Sequence, residues 1–265
     1  MRAGPLPDRP FGPLPRRLKS QAMTPRKPTA PQAPKSVLVI DVGGSNIKLM
    51  RSGSEERIKF ESGPRFTPRQ LMAGIHAQAA AWDYDAVSLG LPIPIVHDHP
   101  VREPNNLGRG WMNFDYHAAF GKPCKVINDA AMQALGSYEG GRMLFLGLGT
   151  GLGSAMILDN VLIPLELGEL TYSPQRTFED MLGREGRRRL GQKKWEEAID
   201  SIVAILRAAC VIDYVVLGGG NARRIARLPK GARLGDNRNA FIGGLRLWGL
   251  GPDTAASKTH ALHVR

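Results

Sequence analysis

Two glycine-rich stretches, about a hundred residues apart, carry the residue types that hold a phosphate. The first is Val37-Leu-Val-Ile-Asp-Val-Gly-Gly-Ser-Asn-Ile-Lys48 and the second is Leu146-Gly-Leu-Gly-Thr-Gly-Leu-Gly-Ser154. Each begins with a short apolar run, passes through Gly, Ser or Thr, and enters a second apolar run, which is the pattern of a hairpin with a tight turn. Backbone N–H groups in such a turn converge on one point and can hold an anion. One loop of this kind is weak as a signal, because a core hairpin uses the same glycines. Two of them, with Asn128-Asp129 between, suggest a cleft for phosphoryl transfer between two related lobes.

The elements that must position these turns follow from periodicity and punctuation. Strands are predicted over 37–42, 47–51 and 56–61. Thr67-Pro68 opens a helix running to about Trp82, since proline suits the first helical turn. A strand over 86–91 leads into a long loop, 92–112, rich in Pro, Asn and Gly and containing a small hairpin; loops of this length in compact domains tend to be functional. A short helix near 113–120, a strand over 124–128 and a helix from Asp129 to about Tyr138 come next. Strands over 143–148, 152–158 and 161–163 precede a helix over 192–210, whose Trp195, Ile199, Ile202, Val203 and Leu206 make one buried face. A strand over 211–217 and a final helix from Asn239 complete the set. The run of strands followed by alternating helix and strand thus occurs twice, near 37–91 and near 143–217, which implies mixed sheets covered by helices. In open α/β sheets ligands bind at the carboxyl ends of strands, where both glycine turns and Asp129 fall.

Composition limits the alternatives. A chain of 265 residues with 42% hydrophobic content has enough apolar material for one large domain or two lobes. Of the formal charge of +12, residues 1–35 carry +7, leaving +5 for the rest. That segment is basic and proline-rich, and disorder is expected there. It suits a polyanion or nucleic-acid arm, a transit peptide interrupted by prolines, or an extension preceding a start at Met23. No secretory apolar core or long apolar stretch appears, so a cytoplasmic protein with no membrane partner is expected, and nucleic acid is not the expected ligand of the folded part. Cys124 and Cys210 lie far apart in apolar segments, which predicts buried, reduced thiols and neither disulfide nor zinc.

Five motifs occur together and in order: Asp41-Val-Gly-Gly-Ser-Asn-Ile-Lys48, Asn128-Asp129-Ala-Ala, Leu148-Gly-Thr-Gly-Leu-Gly-Ser154, Glu166-Leu-Gly168 and Val216-Leu-Gly-Gly-Gly-Asn221. In this set the chain resembles the repressor/ORF/kinase (ROK) sugar kinases over roughly residues 36–250. The compact length, Leu162-Ile-Pro164 and the missing cysteine cluster make it similar to the polyphosphate-using glucokinases of that family. The resemblance implies a two-lobed α/β fold of the actin/hexokinase (ribonuclease H-like) type with a cleft between lobes: an N-terminal lobe over 36–127, a C-terminal lobe over 128–238, a helix over 239–250 packing back on the first, and a flexible end over 251–265. It implies transfer of a phosphoryl group from polyphosphate or ATP to a hexose, most of all glucose, with Mg²⁺. The alternative is a non-catalytic sugar-binding regulator; family regulators carry an added helix-turn-helix, which the prolines of 1–35 do not suit. A homodimer is expected.

The resemblance also assigns roles. Asp41, Gly43, Gly44, Ser45 and Lys48 match the first phosphate motif; a carboxylate beside phosphate repels it, so Asp41 is expected to act through Mg²⁺ or its waters. Thr150, Gly151 and Gly153 match the second, and Gly218, Gly219 and Gly220 the nucleotide end, with a helix near Asn221 offering its positive end. Asp129 matches the catalytic base, which orients a sugar hydroxyl and takes its proton. Asn105, Asn106, Asn128 and Glu166 match sugar-binding positions, with chemistry suited to hydroxyl pairs. Plain turn chemistry competes for the glycines and for Asn105-Asn106, and helix capping competes for Asn128-Asp129. Trp111 is expected to pack beneath its loop, and His97-Asp98-His99 to be a solvated turn. Glu169 stands where most relatives have the His of Glu-Leu-Gly-His, and is expected in the sugar pocket. The basic run Arg184–Lys194 is either a solvated face or an attractor for a polyanionic donor.

Overall fold

The computed structural model describes residues 33–236, 238–250 and 263–264; the expectations for residues 1–32 and for most of 251–265 lie outside them. The first sheet is built from β1 (Val37–Val42), β2 (Asn46–Arg51), β3 (Arg57–Glu61), β4 (Ala86–Leu91) and β7 (Cys124–Asn128), in the order β3-β2-β1-β4-β7. Two two-residue strands, β5 (Ile95–Val96) and β6 (His99–Pro100), make a side hairpin in the long loop. The second sheet takes β8 (Arg142–Leu148), β9 (Leu152–Leu158), β10 (Val161–Leu165), β13 (Tyr214–Gly218), β14 (Ala232–Leu234) and β15 (His263–Val264), in the order β14-β13-β8-β9-β10-β15. β11 (Thr171–Ser173) and β12 (Arg176–Thr177) pair apart from it.

Apart from β15, the second sheet repeats the first. In both, an antiparallel hairpin continues to a third antiparallel strand on one side, and two parallel strands extend the other. β1 and β8, β7 and β14 are therefore equivalent positions. Six-residue runs such as Val37–Val42 and Ala86–Leu91 are buried throughout, as central strands covered on both faces must be.

Helices fill three layers around these sheets. α1 (Pro68–Gln78) and α2 (Tyr116–Phe120) cover the outer face of the first sheet, where Leu71, Ile75, Tyr116 and Phe120 join Leu38, Ile40 and Leu89 in one core. α4 (Phe178–Leu182) and α5 (Arg184–Ala209) cover the outer face of the second, burying Phe178, Trp195, Ile199 and Ile202 on Leu144, Leu146 and Val215. Between the sheets lie α3 (Asp129–Ser137) and α6 (Asn239–Arg246), whose core holds Val39 of the first sheet, Ala131 and Leu135 of α3, Phe145 of the second and Phe241 of α6. α3 and α6 touch backbone to backbone: a Cβ on Gly136 would overlap the Asn239 carbonyl, and one on Gly243 the Met132 carbonyl. Ser88 Oγ adds a buried link, donating to Gly244 O at 2.6 Å while accepting from Trp248 Nε1 at 2.9 Å.

Several boundaries differ from the sequence-based expectation. α1 ends at Gln78 instead of Trp82: Ala79 leaves the helical region, and Trp82 turns away to donate its indole N–H to Glu56 Oε2 at 3.1 Å. The second helical stretch begins at Arg184, eight residues earlier than its apolar periodicity shows, with non-helical Gly191 (φ 72°) as a kink. The strand expected from Val211 starts at Tyr214, because Cys210 caps α5 and Val211 takes a left-handed conformation (φ 53°). Cys210 at that helix end is half-buried, whereas Cys124 is buried in β7. Near Asn221 the chain makes only a 3₁₀ turn over Ala222–Arg224, so no helix dipole of consequence starts there. His97 and Asp98 form the β5–β6 turn with positive φ, and Asp98 Oδ1 accepts from Val126 N at 3.2 Å. Among the described residues no helix is long and apolar enough to cross a membrane.

Candidate active site

The cleft between the two sheets has a volume of about 350 Å³, within the range of small-molecule sites. Its walls are the turns that follow strand ends. Gly43, Gly44 and Ser45 follow β1, and Thr150 and Gly151 follow β8, so the duplicated hairpins present their turns to the same space. The first turn is closed by Gly43 N donating to Asn46 O at 3.0 Å, and Ser62 Oγ donates to Gly43 O at 2.6 Å. The second is closed by Gly149 N on Gly151 O at 3.1 Å, and is tied to its surroundings by Arg184 N and by Asn221 Nδ2, which both donate to Gly149 O.

Asp129 stands where α3 begins, at the carboxyl end of β7. Of the neighbouring pair, Asn128 is the structural member. Its Oδ1 accepts from Ala131 N at 3.0 Å as the helix cap, and its Nδ2 donates to Ile93 O at 3.2 Å. Its side chain, expected on the sugar, is thus engaged by backbone at both ends. Capping by Asn128 leaves Asp129 with a face on the cleft, where its Oδ1 accepts from its neighbour Ala130 N at 2.8 Å. Gly153 brings the second turn against this helix start: a Cβ there would come within 2.8 Å of Ala130 Cβ.

Electrostatics single out Asp129. Burial pushes its carboxyl up to about 7, and the Asp41 carboxylate and then Glu166 add to the rise, against the pull of the Ala130 N–H and Lys48. Asp41 itself is buried behind the first turn, with Lys48 Nζ 2.8 Å from its Oδ2. Glu166 also lines the cleft; burial raises its carboxyl, Glu169 and Glu179 add to the rise, and Arg102 opposes it. The turn carrying Glu166 hangs on Ser154, whose Oγ donates to Leu165 O at 2.8 Å and accepts from Leu167 N at 2.9 Å.

Most residues picked out in the sequence converge here: Gly43, Gly44, Ser45, Lys48, Asn105, Asn106, Asn128, Asp129, Thr150, Gly151, Gly153, Glu166, Gly219 and Gly220 line the cleft. Three do not. Asp41 is in the layer behind. Gly218 ends β13 against the Phe145 ring, where a Cβ would come within 2.5 Å of it. Glu169 has a side chain 67% exposed and is turned to Arg102. Trp111 is fully buried, with Phe66 beside it, and packs under the loop.

The structure adds residues that the sequence reading did not weigh. Glu103 organises the Asn-bearing loop by accepting from Gly110 N and Trp111 N, each at 3.0 Å. Glu179 reaches into the second turn from α4, where its Oε2 accepts from Leu152 N at 2.9 Å. The signal for α4 was present as the capping box Thr177-Phe-Glu-Asp180, in which Thr177 and Asp180 satisfy each other's backbone N–H. Arg102 is a further charged residue of the lining, which it shares with Arg184, the first residue of the basic run noted in the sequence. Among the described residues, no group of three His, Cys, Asp or Glu side chains is arranged to hold a metal ion.

No protein-family model matches the chain. A polyphosphate glucokinase of Mycobacterium tuberculosis (strain CDC 1551 / Oshkosh) is 26% identical over 206 residues, spanning 70% of this chain and 77% of the relative. Among solved structures, an inorganic polyphosphate/ATP-glucomannokinase from Arthrobacter sp. strain KM aligns with a TM-score of 0.66 at 24% identity, covering 80% of this chain and 97% of that one. A ROK family glucokinase from Streptomyces griseus, solved with glucose and AMPPNP, aligns with a TM-score of 0.62 at 15% identity over 80% of this chain and 98% of that one. The fold is that of the ROK sugar kinases. The ROK fold accounts for the duplicated sheets and for the cleft at their strand ends, and the two-lobed architecture expected from the motifs is the one observed.

Proposed function

We propose that this protein is a sugar kinase that transfers a phosphoryl group from polyphosphate or ATP to a hexose, glucose at its 6-hydroxyl being the preferred acceptor. The observation that carries the reading is Asp129: a carboxyl group at the cleft, between two glycine turns, whose surroundings push it up to about 7. A general base works best when it holds its proton weakly enough to be free at the working pH and strongly enough to accept one. A half-buried carboxyl that faces the cleft and is raised further by a second one, Asp41, suits proton transfer more than hydroxyl binding alone, which favours catalysis over the regulatory alternative.

In this reading Asp129 accepts the hydrogen bond of the attacking hydroxyl and takes its proton as the new P–O bond forms. Asn106 and Glu166 hold neighbouring hydroxyls, with Asn105 at the rim. The N–H groups of the two turns, with Thr150, face the phosphate chain and stabilise charge on its equatorial oxygens. Gly219 and Gly220 leave room along the donor. The residues present suit Mg²⁺: Asp41 has one oxygen engaged by Lys48 and the other without that partner, and Mg²⁺ takes most of its ligands from water and substrate phosphate instead of a protein cage. Bound there, Mg²⁺ would neutralise charge on the donor phosphates. The basic surface around Arg184 and along α5 supports polyphosphate as a donor. A cytoplasmic homodimer is part of the same proposal.

The test is a coupled assay over several hexoses with ATP and polyphosphate at matched phosphate concentration. Phosphorylation of glucose with either donor is expected. Glucose binding with no turnover from any donor would replace the kinase reading with the regulatory one.

A further inference from the structure

The expected sugar contact Glu169 is engaged elsewhere. Its Oε1 lies 3.3 Å from Arg102 Nη1, and the other arm of the same guanidinium donates from Nη2 to Glu166 Oε2 at 3.0 Å. Arg102 follows β6 in the loop of the first lobe, whereas Glu166 and Glu169 bracket the 3₁₀ turn after β10 in the second. One cation therefore spans the mouth of the cleft and grips two carboxylates of the opposite lobe. Arg102 and Glu166 line the cleft and Glu169 does not. A guanidinium presents separate, fixed N–H groups to the two acceptors, whereas a lysine must reach both from one point charge.

The charges around Glu166 show why the contact matters. It is faced by Arg102 from the loop, Glu169 from its own turn, Glu179 from α4 and Asp129 from α3. Arg102 is the cation that offsets them at Glu166. Without it, four carboxyl groups would crowd the end of the cleft where a sugar hydroxyl must find an ionised acceptor.

We infer that Arg102 is a positioning residue for sugar recognition: it latches across the cleft to Glu166 and fixes that carboxylate as a hydroxyl acceptor, while Glu169 anchors Arg102 and does not touch the sugar. Arg102 engages Glu166 Oε2, so Oε1 is the oxygen left for the substrate. The inference rests on the sugar-kinase reading of the same cleft.

The test measures glucose binding calorimetrically in the D129N protein, where the catalytic carboxyl no longer titrates, across about pH 4 to 8, a window that spans the ordinary carboxylate range and the region above it. Adding R102Q is expected to weaken binding about tenfold, the scale of one lost charge-assisted hydrogen bond. Binding should also fade at a higher pH on acidification than in the parent, because Glu166 then holds its proton more tightly. R102K should recover part of the loss. E169Q, at an exposed position, should weaken binding by about threefold alone and add little on top of R102Q, since it acts through the same guanidinium. Identical affinity and pH dependence with and without Arg102, or fully additive losses for R102Q and E169Q, would overturn the latch alone. A D129N parent that binds no glucose would overturn the sugar site and the latch together.

Discussion

Lys48 Nζ lies 2.8 Å from Asp41 Oδ2, and the two residues face each other as one rung of the β1–β2 ladder. The pair ties the first glycine turn to the electrostatics of Asp129, because Asp41 raises the Asp129 carboxyl and Lys48 lowers it. K48M would leave Asp41 buried and unpaired beside Asp129. Without the Lys48 ammonium, and with Asp41 still beside it, the Asp129 carboxyl would hold its proton more tightly. The acid limb of kcat/KM, which reports the free enzyme, should move to higher pH. An unmoved limb in a folded K48M protein would remove Lys48 from the electrostatics of the base.

Asp129→Asn should preserve the fold and glucose binding while lowering turnover at least about a hundredfold, the usual scale for a general base. It should also change stability with a definite sign. The folded-state value of Asp129 lies above the ordinary one, so folding takes up a proton between the two. Stability from this group is therefore greatest at low pH and declines as pH rises toward 7, and the cost of burying the ionised carboxylate is felt in full above it. D129N removes that cost. Its melting temperature should exceed that of the parent at about pH 8, and the difference should shrink to nothing near about pH 4. A D129N protein less stable than the parent at the higher pH would mean that the carboxylate is held favourably, against the electrostatics described above.

Gly136 and Gly243 make the α3–α6 contact possible, and α3 carries Asp129 at its first position. Alanine at Gly136 would put a methyl group on the Asn239 carbonyl, where backbone, not a flexible side chain, must give way. G136A should cost about 1–3 kcal/mol in denaturant unfolding, or more if the helix cannot shift. Turnover should fall as well, because any shift of α3 that relieves the overlap carries Asp129, its first residue, with it. Unchanged stability in G136A would show that the two helices are not packed as closely as described.

The parts of the fold that could be read from the sequence are those written into local pattern. The two hairpins, β4, β7 and the apolar face Trp195–Leu206 are contiguous and periodic; the strands fall within a few residues of their expected bounds, and the helix is right in its apolar face but starts eight residues earlier, at Arg184. Ends were harder, because they depend on tertiary partners: Trp82 leaves α1 for Glu56, and Val211 is apolar enough to extend a strand yet completes the helix end. α4 went unread although its capping box was present. The site divides in the same way. The turn glycines and Asp129 carry their chemistry in short motifs. Arg102 has no motif, because the carboxylate it grips lies 64 residues further along the chain. The division of labour between Asn128 and Asp129 is likewise not written in the sequence, since both are good helix caps and it is the fold that gives Asn128 that task.

In the proposed reading, the choice of donor depends on the surface beside the second turn. Arg184 lines the cleft, and Arg187, Arg188 and Arg189 continue from it along the first turns of α5. Arg189 donates to Asp180 O at 2.8 Å and Arg188 pairs with Glu185 at 2.7 Å, an exposed bridge worth little to stability. Arg223 and Arg224 lie on the 3₁₀ turn that follows the Gly218–Gly220 stretch, where Arg224 O accepts from Gln192 Nε2 of α5 at 2.7 Å. A long polyanion gains from charges spread along such a surface, whereas ATP needs a local cradle and a place for its base. Replacing Arg187, Arg188 and Arg189 together by glutamine should therefore raise the KM for long polyphosphate severalfold while changing that for ATP little. The effect should shrink as salt rises, because exposed charges are screened within about 10 Å at 0.1 M ionic strength. Initial rates with glucose, polyphosphates of graded length and ATP would measure it. Equal losses with both donors would assign these arginines to the fold of α5, and activity with ATP alone would exclude polyphosphate while leaving the kinase reading in place.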